Sequence, residues 1–161
     1  DPKRHVGVEH YVMAAMRGNP DAVLVILDAD DECLRREPGN GLAQELLARA
    51  EPHARGRPVG VVVADREFEA RFLAFLDHLW AEGLLEVEDC PEPDPEPERH
   101  KDCKGRVGTW LGVKYEPTTH QRRLVKGLPV SDVPETAPRS YRKLMRELHR
   151  LTEAVVGGGL A

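Results

Sequence analysis

The stretch AVLVILDADDEC, Ala22–Cys33, decides the fold. Its first half, Ala22–Leu27, is an unbroken apolar run. The turn residues Asn19-Pro20-Asp21 stand before it, and Asp28-Ala29-Asp30-Asp31-Glu32 closes it with charge. Such a run between turn signals reads as a strand buried on both faces, as in a parallel sheet. A second run, VGVVVA at Val59–Ala64, follows Gly56-Arg57-Pro58. Between the two, past a loop at Arg36–Gly41, Leu42, Leu46, Leu47 and Ala50 recur at helical spacing. Val8, Val12, Ala15 and Met16 do the same ahead of the first strand, predicting a helix over Val6–Arg17 that Gly18 stops. After the second strand Asp65 stands as an N-cap, and Phe68, Phe72, Phe75, Leu76 and Leu79 line one helical face. Helix–strand–helix–strand–helix is the α/β order, a mostly parallel sheet flanked by helices.

Beyond this the composition changes. Glu86–Lys104 holds Pro91, Pro93, Pro95 and Pro97 among many acids and reads as a solvated loop. Trp110–Tyr115 reads as a short strand or turn, and Glu116-Pro117-Thr118-Thr119 as a cap for a helix at His120–Lys126. Tyr141, Leu144, Leu148, Leu151 and Val155 mark an amphipathic helix over Ser140–Val156, ended by Gly157–Gly159. The expected organisation is one domain over 1–161, with a core at about 6–85, an acidic proline-rich loop at 86–104 and a helical part at 105–156.

The chain has 161 residues, 40% of them apolar and 32% charged, which excludes global disorder. Its formal charge of −5 argues against a protein held to nucleic acid by bulk charge. No apolar run is long enough to span a membrane, so no membrane association is expected. No basic start with an apolar stretch marks a secretion signal, and a cytoplasmic location is expected. The chain opens on Asp1-Pro2, so either its start is processed or a further segment precedes it. Cys33, Cys90 and Cys103 are odd in number and irregular in spacing, so free thiols are expected. Cys90, His100 and Cys103 lack the fourth ligand and tight pairs that zinc wants.

Three groups of residues carry chemistry. Asp28 and Asp30 leave the carboxyl end of the first strand two positions apart, the edge where open α/β sheets bind ligands. Alternate residues point the same way, so both carboxylates can share one cation, and magnesium takes such oxygen ligands. An acidic turn capping the next segment is the competing reading. Glu67 and Glu69 follow the second strand in ADREFEARFLA, Ala64–Ala74. In a first helical turn Glu67 also suits the helix dipole without any chemistry. The third group is basic: Lys101, Lys104 and Arg106, with Lys104 the residue to turn back on the acidic edge and neutralise a phosphate. Arg122, Arg123 and Lys126, then Arg139, Arg142, Lys143 and Arg146, add basic faces that contact phosphates or are simply solvated. Ser131 and Ser140, the only serines, sit in no nucleophile turn, and no glycine-rich phosphate loop is present.

LDADDEC, VVVADREFEARFLA, DCKGRVGTWL, YEPTTHQ and PRSYRKLMREL follow one another in this order. With them the chain resembles an uncharacterised bacterial family with a Toprim-like fold, often encoded beside AAA or ABC-type ATPases. The resemblance runs from Ala22 to Leu151. It implies the metal-binding chemistry of Toprim nucleases such as the overcoming-lysogenisation-defect enzymes, with Mg2+ or Mn2+ on Asp28 and Asp30. Glu67, Glu69 and Lys104 would flank the site, and Arg139, Ser140, Tyr141 and Lys143 would form the C-terminal signature, with Arg139 and Lys143 on the substrate. The family generally begins with a strand ending in a Val-Glu-Gly-like segment, which is absent before Val6 here. Neither the Toprim Glu nor the first strand is therefore seen before Val6, and an unpaired sheet edge beside Ala22–Leu27 is expected, covered by a preceding N-terminal portion or by a partner. His120 stands where relatives commonly carry Asp, and Arg71 where they carry an aromatic.

The resemblance thus implies a magnesium-dependent nuclease acting with an ATPase partner in defence against phage or foreign DNA. A catalytically silent Toprim-like subunit that binds and regulates the ATPase is the alternative; self-association suits either.

Overall fold

A computed structural model describes residues 7–28, 41–64, 67–131, 133–135 and 137–158. The chain divides into two compact units, one of Asp1–Ala64 with Lys143–Ala161 and the other of Asp65–Arg142.

The first unit is mixed α/β. Its elements are α1 (Val8–Ala15), β1 (Val23–Asp28), α2 (Leu42–Ala50), β2 (Val59–Ala64) and most of α7 (Arg139–Gly158). A 3-10 turn, Met16–Gly18, ends α1, and Asn19 turns the chain with φ 48°, a conformation its short polar side chain tolerates. The strands pair in parallel from Val23↔Val59 to Asp28↔Ala64. Among the described residues the sheet has two strands, so β1 has one edge with no strand beside it.

Strand alternation sorts the side chains between two faces. Val23, Val25, Val59 and Val61 pack with Val8, Val12, Met16, Leu42 and Leu46, the buried faces of α1 and α2. On the other face α7 lies against Gly60, where a Cβ would stand 3.1 Å from both Glu147 Oε2 and Leu151 Cδ1. Arg150 Nη2 donates to the Val59 carbonyl at 2.6 Å. The small parallel sheet is thus flanked by helices on both faces. Arg49 ties α2 to α1 through a two-pronged pair with Glu9, at 2.6 and 3.1 Å.

The second unit holds α3 (Ala70–Ala74), α4 (Leu76–Ala81), α5 (Cys103–Leu111), α6 (Arg122–Val125) and the start of α7. The single helix expected after β2 breaks at Phe75 (φ −129°, ψ 35°). Both pieces keep their apolar face, with Phe72, Leu73, Phe75, Leu76 and Leu79 buried. The N-cap expected at Asp65 lies outside the described residues.

The proline-rich stretch is more than a solvated excursion. Pro91 and Pro97 are buried, and the Asp94 N–H donates to the Leu73 carbonyl at 2.8 Å. The 3-10 turn Pro97–Arg99 packs on α3. The expectation of a strand or turn at Trp110–Tyr115 is corrected in part: Trp110 and Leu111 end α5, and Gly112 (φ 66°) then reverses the chain. Cys103, Val107 and Leu111 are its buried stripe. The helix expected at His120–Lys126 splits into a π-helical turn, Pro117–Gln121, and α6.

Candidate functional site

The residues expected after β2 and in the DCKGRVGTWL motif meet in the second unit. The cause is local. Asp102 caps α5, its carboxylate accepting the Gly105 N–H at 2.9 Å. A Cβ on Gly105 would fall 2.2 Å from that carboxylate, so the cap needs glycine there. With the first turn of α5 fixed, the Lys104 N–H donates to Glu67 Oε2 at 3.1 Å. The Lys104 ammonium then lies 3.5 Å from Glu67 Oε1 and 3.9 Å from Glu69 Oε2. Two carboxylates therefore converge on one ammonium at the positive end of a helix, where negative charge is stabilised.

The surroundings are unusual for charged groups. Glu69 is 2% exposed and Arg71 is fully buried. The Arg71 guanidinium stacks 4.5 Å from the Phe68 ring centroid, a contact that stabilises a desolvated cation. Phe72 in turn meets Phe68 edge-on at 5.7 Å and Tyr115 at 6.4 Å. Burial pushes the Tyr115 phenol well above its ordinary range, and the Glu69 and Glu67 charges push it further. Burial, followed by Glu67 and Glu69, pushes the Cys103 thiol up to about 12. Cys103 Sγ donates to the Pro97 and His100 carbonyls, each at 3.6 Å. It is an inert buried thiol rather than a nucleophile.

An open cleft of about 760 Å³ lies along α5, lined by Lys104, Gly108, Thr109, Lys114 and Tyr115 among others. The cleft gives a ligand access to the Lys104 end of the carboxylate pair. Chemically the group can hold a proton, orient a water and offset negative charge.

The other expected residues lie elsewhere. Asp28 ends β1, exposed, with Ala64 as its register partner. Asp30 lies outside the described residues. Among the described residues no group of three or more His, Cys, Asp or Glu is gathered to hold a metal ion. Arg139 is exposed and Lys143 half-buried in the first turns of α7. The rest of that signature is structural: Ser140 N–H donates to Glu98 at 3.2 Å, and buried Tyr141 donates to the Pro129 carbonyl at 2.5 Å.

His100, weighed as a zinc ligand, instead pairs with Asp94 at 2.6 Å, and Arg106 stands 3.7 Å from the same carboxylate. Cys90 and Cys103 are both free thiols. Tyr115 and Arg71 are the contributors that sequence reasoning passed over as site residues. A Tyr three residues past a helix-ending glycine carries no chemical signal. The signal for Arg71 is its place in an otherwise apolar face.

The chain matches no protein-family model, no curated protein and no solved structure. Among the described residues no helix is long and apolar enough to cross a membrane.

Proposed function

We propose that the protein is a magnesium-dependent phosphodiesterase of Toprim type, a nuclease that works in the cytoplasm with an ATPase partner. The observation that carries this reading is the convergence of Glu67 and Glu69 on Lys104 beside an open cleft. In the proposed chemistry Glu67 orients a water and takes its proton, and Lys104 faces the charge that develops on the phosphate. Glu69 holds the ammonium in place.

The donor chemistry of Asp28, an exposed carboxylate at a strand end, suits a hard cation. Asp28 and Asp30 would hold magnesium, which when bound supplies Lewis-acid polarisation of a phosphoryl oxygen. The Glu67–Glu69 pair fits the ion less well, because the Lys104 ammonium already offsets its charge.

That same ion pair favours a second reading, a silent subunit that regulates the ATPase. Cleavage of labelled DNA and RNA by the full chain, with Mg2+ or Mn2+ and with or without ATPase, separates the two. Metal-dependent cleavage lost in Asp28→Ala/Asp30→Ala, with an unchanged melting temperature, supports the nuclease. A nuclease also gains heat stability from the metal, since a ligand bound only by the native state stabilises it. Absence of cleavage, with no metal-induced shift and with tight ATPase binding, supports the regulatory subunit.

A further inference from the structure

Tyr115 forms part of the wall of the cleft that Lys104 also lines. Its place follows from the glycines of α5. Gly112 reverses the chain, and the Val113 N–H then donates back to the Gly108 carbonyl at 3.2 Å. A Cβ at Gly108 would stand 3.1 Å from the Tyr115 nitrogen, so the bare glycine lets Tyr115 lie against the helix. The ring meets Phe72 at 6.4 Å and His120 at 5.8 Å, and the residue is 6% exposed.

The hydroxyl is what needs a reason. Phenylalanine would fill the same apolar gap, and a buried hydroxyl costs free energy unless it is hydrogen-bonded. Among the described residues no acceptor stands at full hydrogen-bond distance, and the acceptor that the phenol faces is the Glu69 carboxylate. Hydrogen bonds of this kind are often long in a ligand-free site and tighten in the complex. Glu69 is itself buried, and the Lys104 ammonium stands 3.9 Å from its Oε2, the outer limit of an ion pair. A carboxylate taken out of water stays charged through the donors and cations around it. The charged and titratable groups around Glu69 are Glu67, Lys104, Cys103 and Tyr115, with the Arg71 guanidinium over the Phe68 ring and His120 against the Tyr115 ring. Cys103 gives its hydrogen to the Pro97 and His100 carbonyls, whereas the Tyr115 hydrogen faces Glu69.

We propose that Tyr115 is a positioning residue: its hydroxyl keeps the buried Glu69 carboxylate charged and turned toward Lys104, so that the ammonium stays at the cleft. The inference rests on the phosphodiesterase reading of that cleft.

The test is Tyr115→Phe in the full chain, which keeps the ring and removes the oxygen. The first readout needs no activity. It is the NMR resonance of the Glu69 side-chain carboxyl carbon, assigned by its loss in Glu69→Gln and followed against pH. Losing a donor to the charged form disfavours that form, so the carboxyl should titrate at higher pH in Tyr115→Phe than in the natural chain. Lys114→Gln, which alters the same cleft wall, should move that titration far less. The second readout is cleavage of labelled DNA with Mn2+. The acid limb of the kcat profile should shift upward with the Glu69 titration, about tenfold in kcat on that limb for each pH unit, with KM unchanged. Ring contacts with Phe72 kept in the NMR spectrum show that the variant is folded. Should they be lost, fluorotyrosine placed at 115 keeps both ring and hydroxyl and donates more strongly, and the Glu69 titration should then move to lower pH.

An unchanged Glu69 titration in folded Tyr115→Phe, or under fluorotyrosine, would overturn the proposal. So would a loss of kcat that is equal at every pH, the mark of a residue that only fills space. A natural chain that cleaves nothing would remove the nuclease reading, and the titration would still decide whether Tyr115 holds Glu69. A natural chain that cleaves, with the same pH profile in Tyr115→Phe, would keep the nuclease reading and remove this inference.

Discussion

The Glu67 carboxylate accepts the Lys104 N–H at 3.1 Å and meets the ammonium of the same residue at 3.5 Å. One acid thus caps α5 and holds the cation that the proposed chemistry uses. Glu67→Ala should cost about 1 kcal/mol, the usual loss when a helix N-terminal acceptor is removed. Glu67→Gln keeps an acceptor oxygen and should cost less, yet both variants should lose cleavage if Glu67 activates a water. Urea unfolding of the two variants beside the cleavage assay checks this. Equal loss of stability in both would place the weight on charge rather than on the cap.

Gly108 is where α5 and the returning chain approach most closely. A Cβ there would stand 2.9 Å from the Val113 carbonyl oxygen and 3.1 Å from the Tyr115 nitrogen, both backbone atoms that cannot rotate away. At Gly60 the close atoms are ends of Glu147, Leu151 and Leu24 side chains, which can yield. Gly108→Ala should therefore destabilise by ~1–3 kcal/mol, the range for overpacking, and Gly60→Ala by less. Equilibrium denaturation of both variants decides the order. Because Tyr115 follows the crowded segment, Gly108→Ala should also disturb the packing of Tyr115 on Phe72, read from its ring NMR signals.

The parts of the fold legible in the sequence were those with uninterrupted patterns. Val23–Leu27 and Val59–Ala64 are apolar on both faces, and α7 repeats its apolar positions over many turns. The start of α5 stayed hidden because Gly105 and Gly108 depress its helical propensity. Its existence rests on the Asp102 cap and on burial of Cys103, Val107 and Leu111, which are tertiary facts. For the same reason Glu67 and Lys104 were visible as candidates, while the way they meet was not: that depends on where α5 begins. The burial of Glu69 was equally hidden, since an acid beside Phe68 reads as exposed until Lys104 is in place.

His120 has a structural role in the π-helical turn Pro117–Gln121. Its Nδ1 accepts the Glu116 N–H at 2.9 Å, reaching back over the π-helical turn much as the acid of a capping box does. A carboxylate can accept the same hydrogen. His120→Asp should therefore keep the turn, and His120→Ala should lose one hydrogen bond, ~1 kcal/mol. Hydrogen exchange at the Glu116 amide is the measurement: faster in His120→Ala, unchanged in His120→Asp.

Three buried groups of the second unit resist ionisation. Burial, then Glu67 and Glu69, raise the Cys103 thiol from 9.0 to about 12. Burial also raises the Tyr141 phenol from 10.0 to about 12, against an opposing effect of Arg71. Tyr115 moves in the same direction. In the unfolded chain these groups lose their protons first, so alkali favours unfolding. Their contribution to stability is complete below about pH 9, the unfolded thiol value, and is lost progressively as pH rises toward about 12. Tyr141→Phe separates the two effects. At neutral pH it should cost ~1 kcal/mol, because the hydrogen bond to the Pro129 carbonyl disappears. Between pH 10 and 12, the window of its own phenol, its stability should fall less steeply than that of the natural chain. Urea midpoints measured from pH 7 to 11.5 give both quantities. Parallel curves would show that Tyr141 ionises as readily in the folded protein as in the unfolded one.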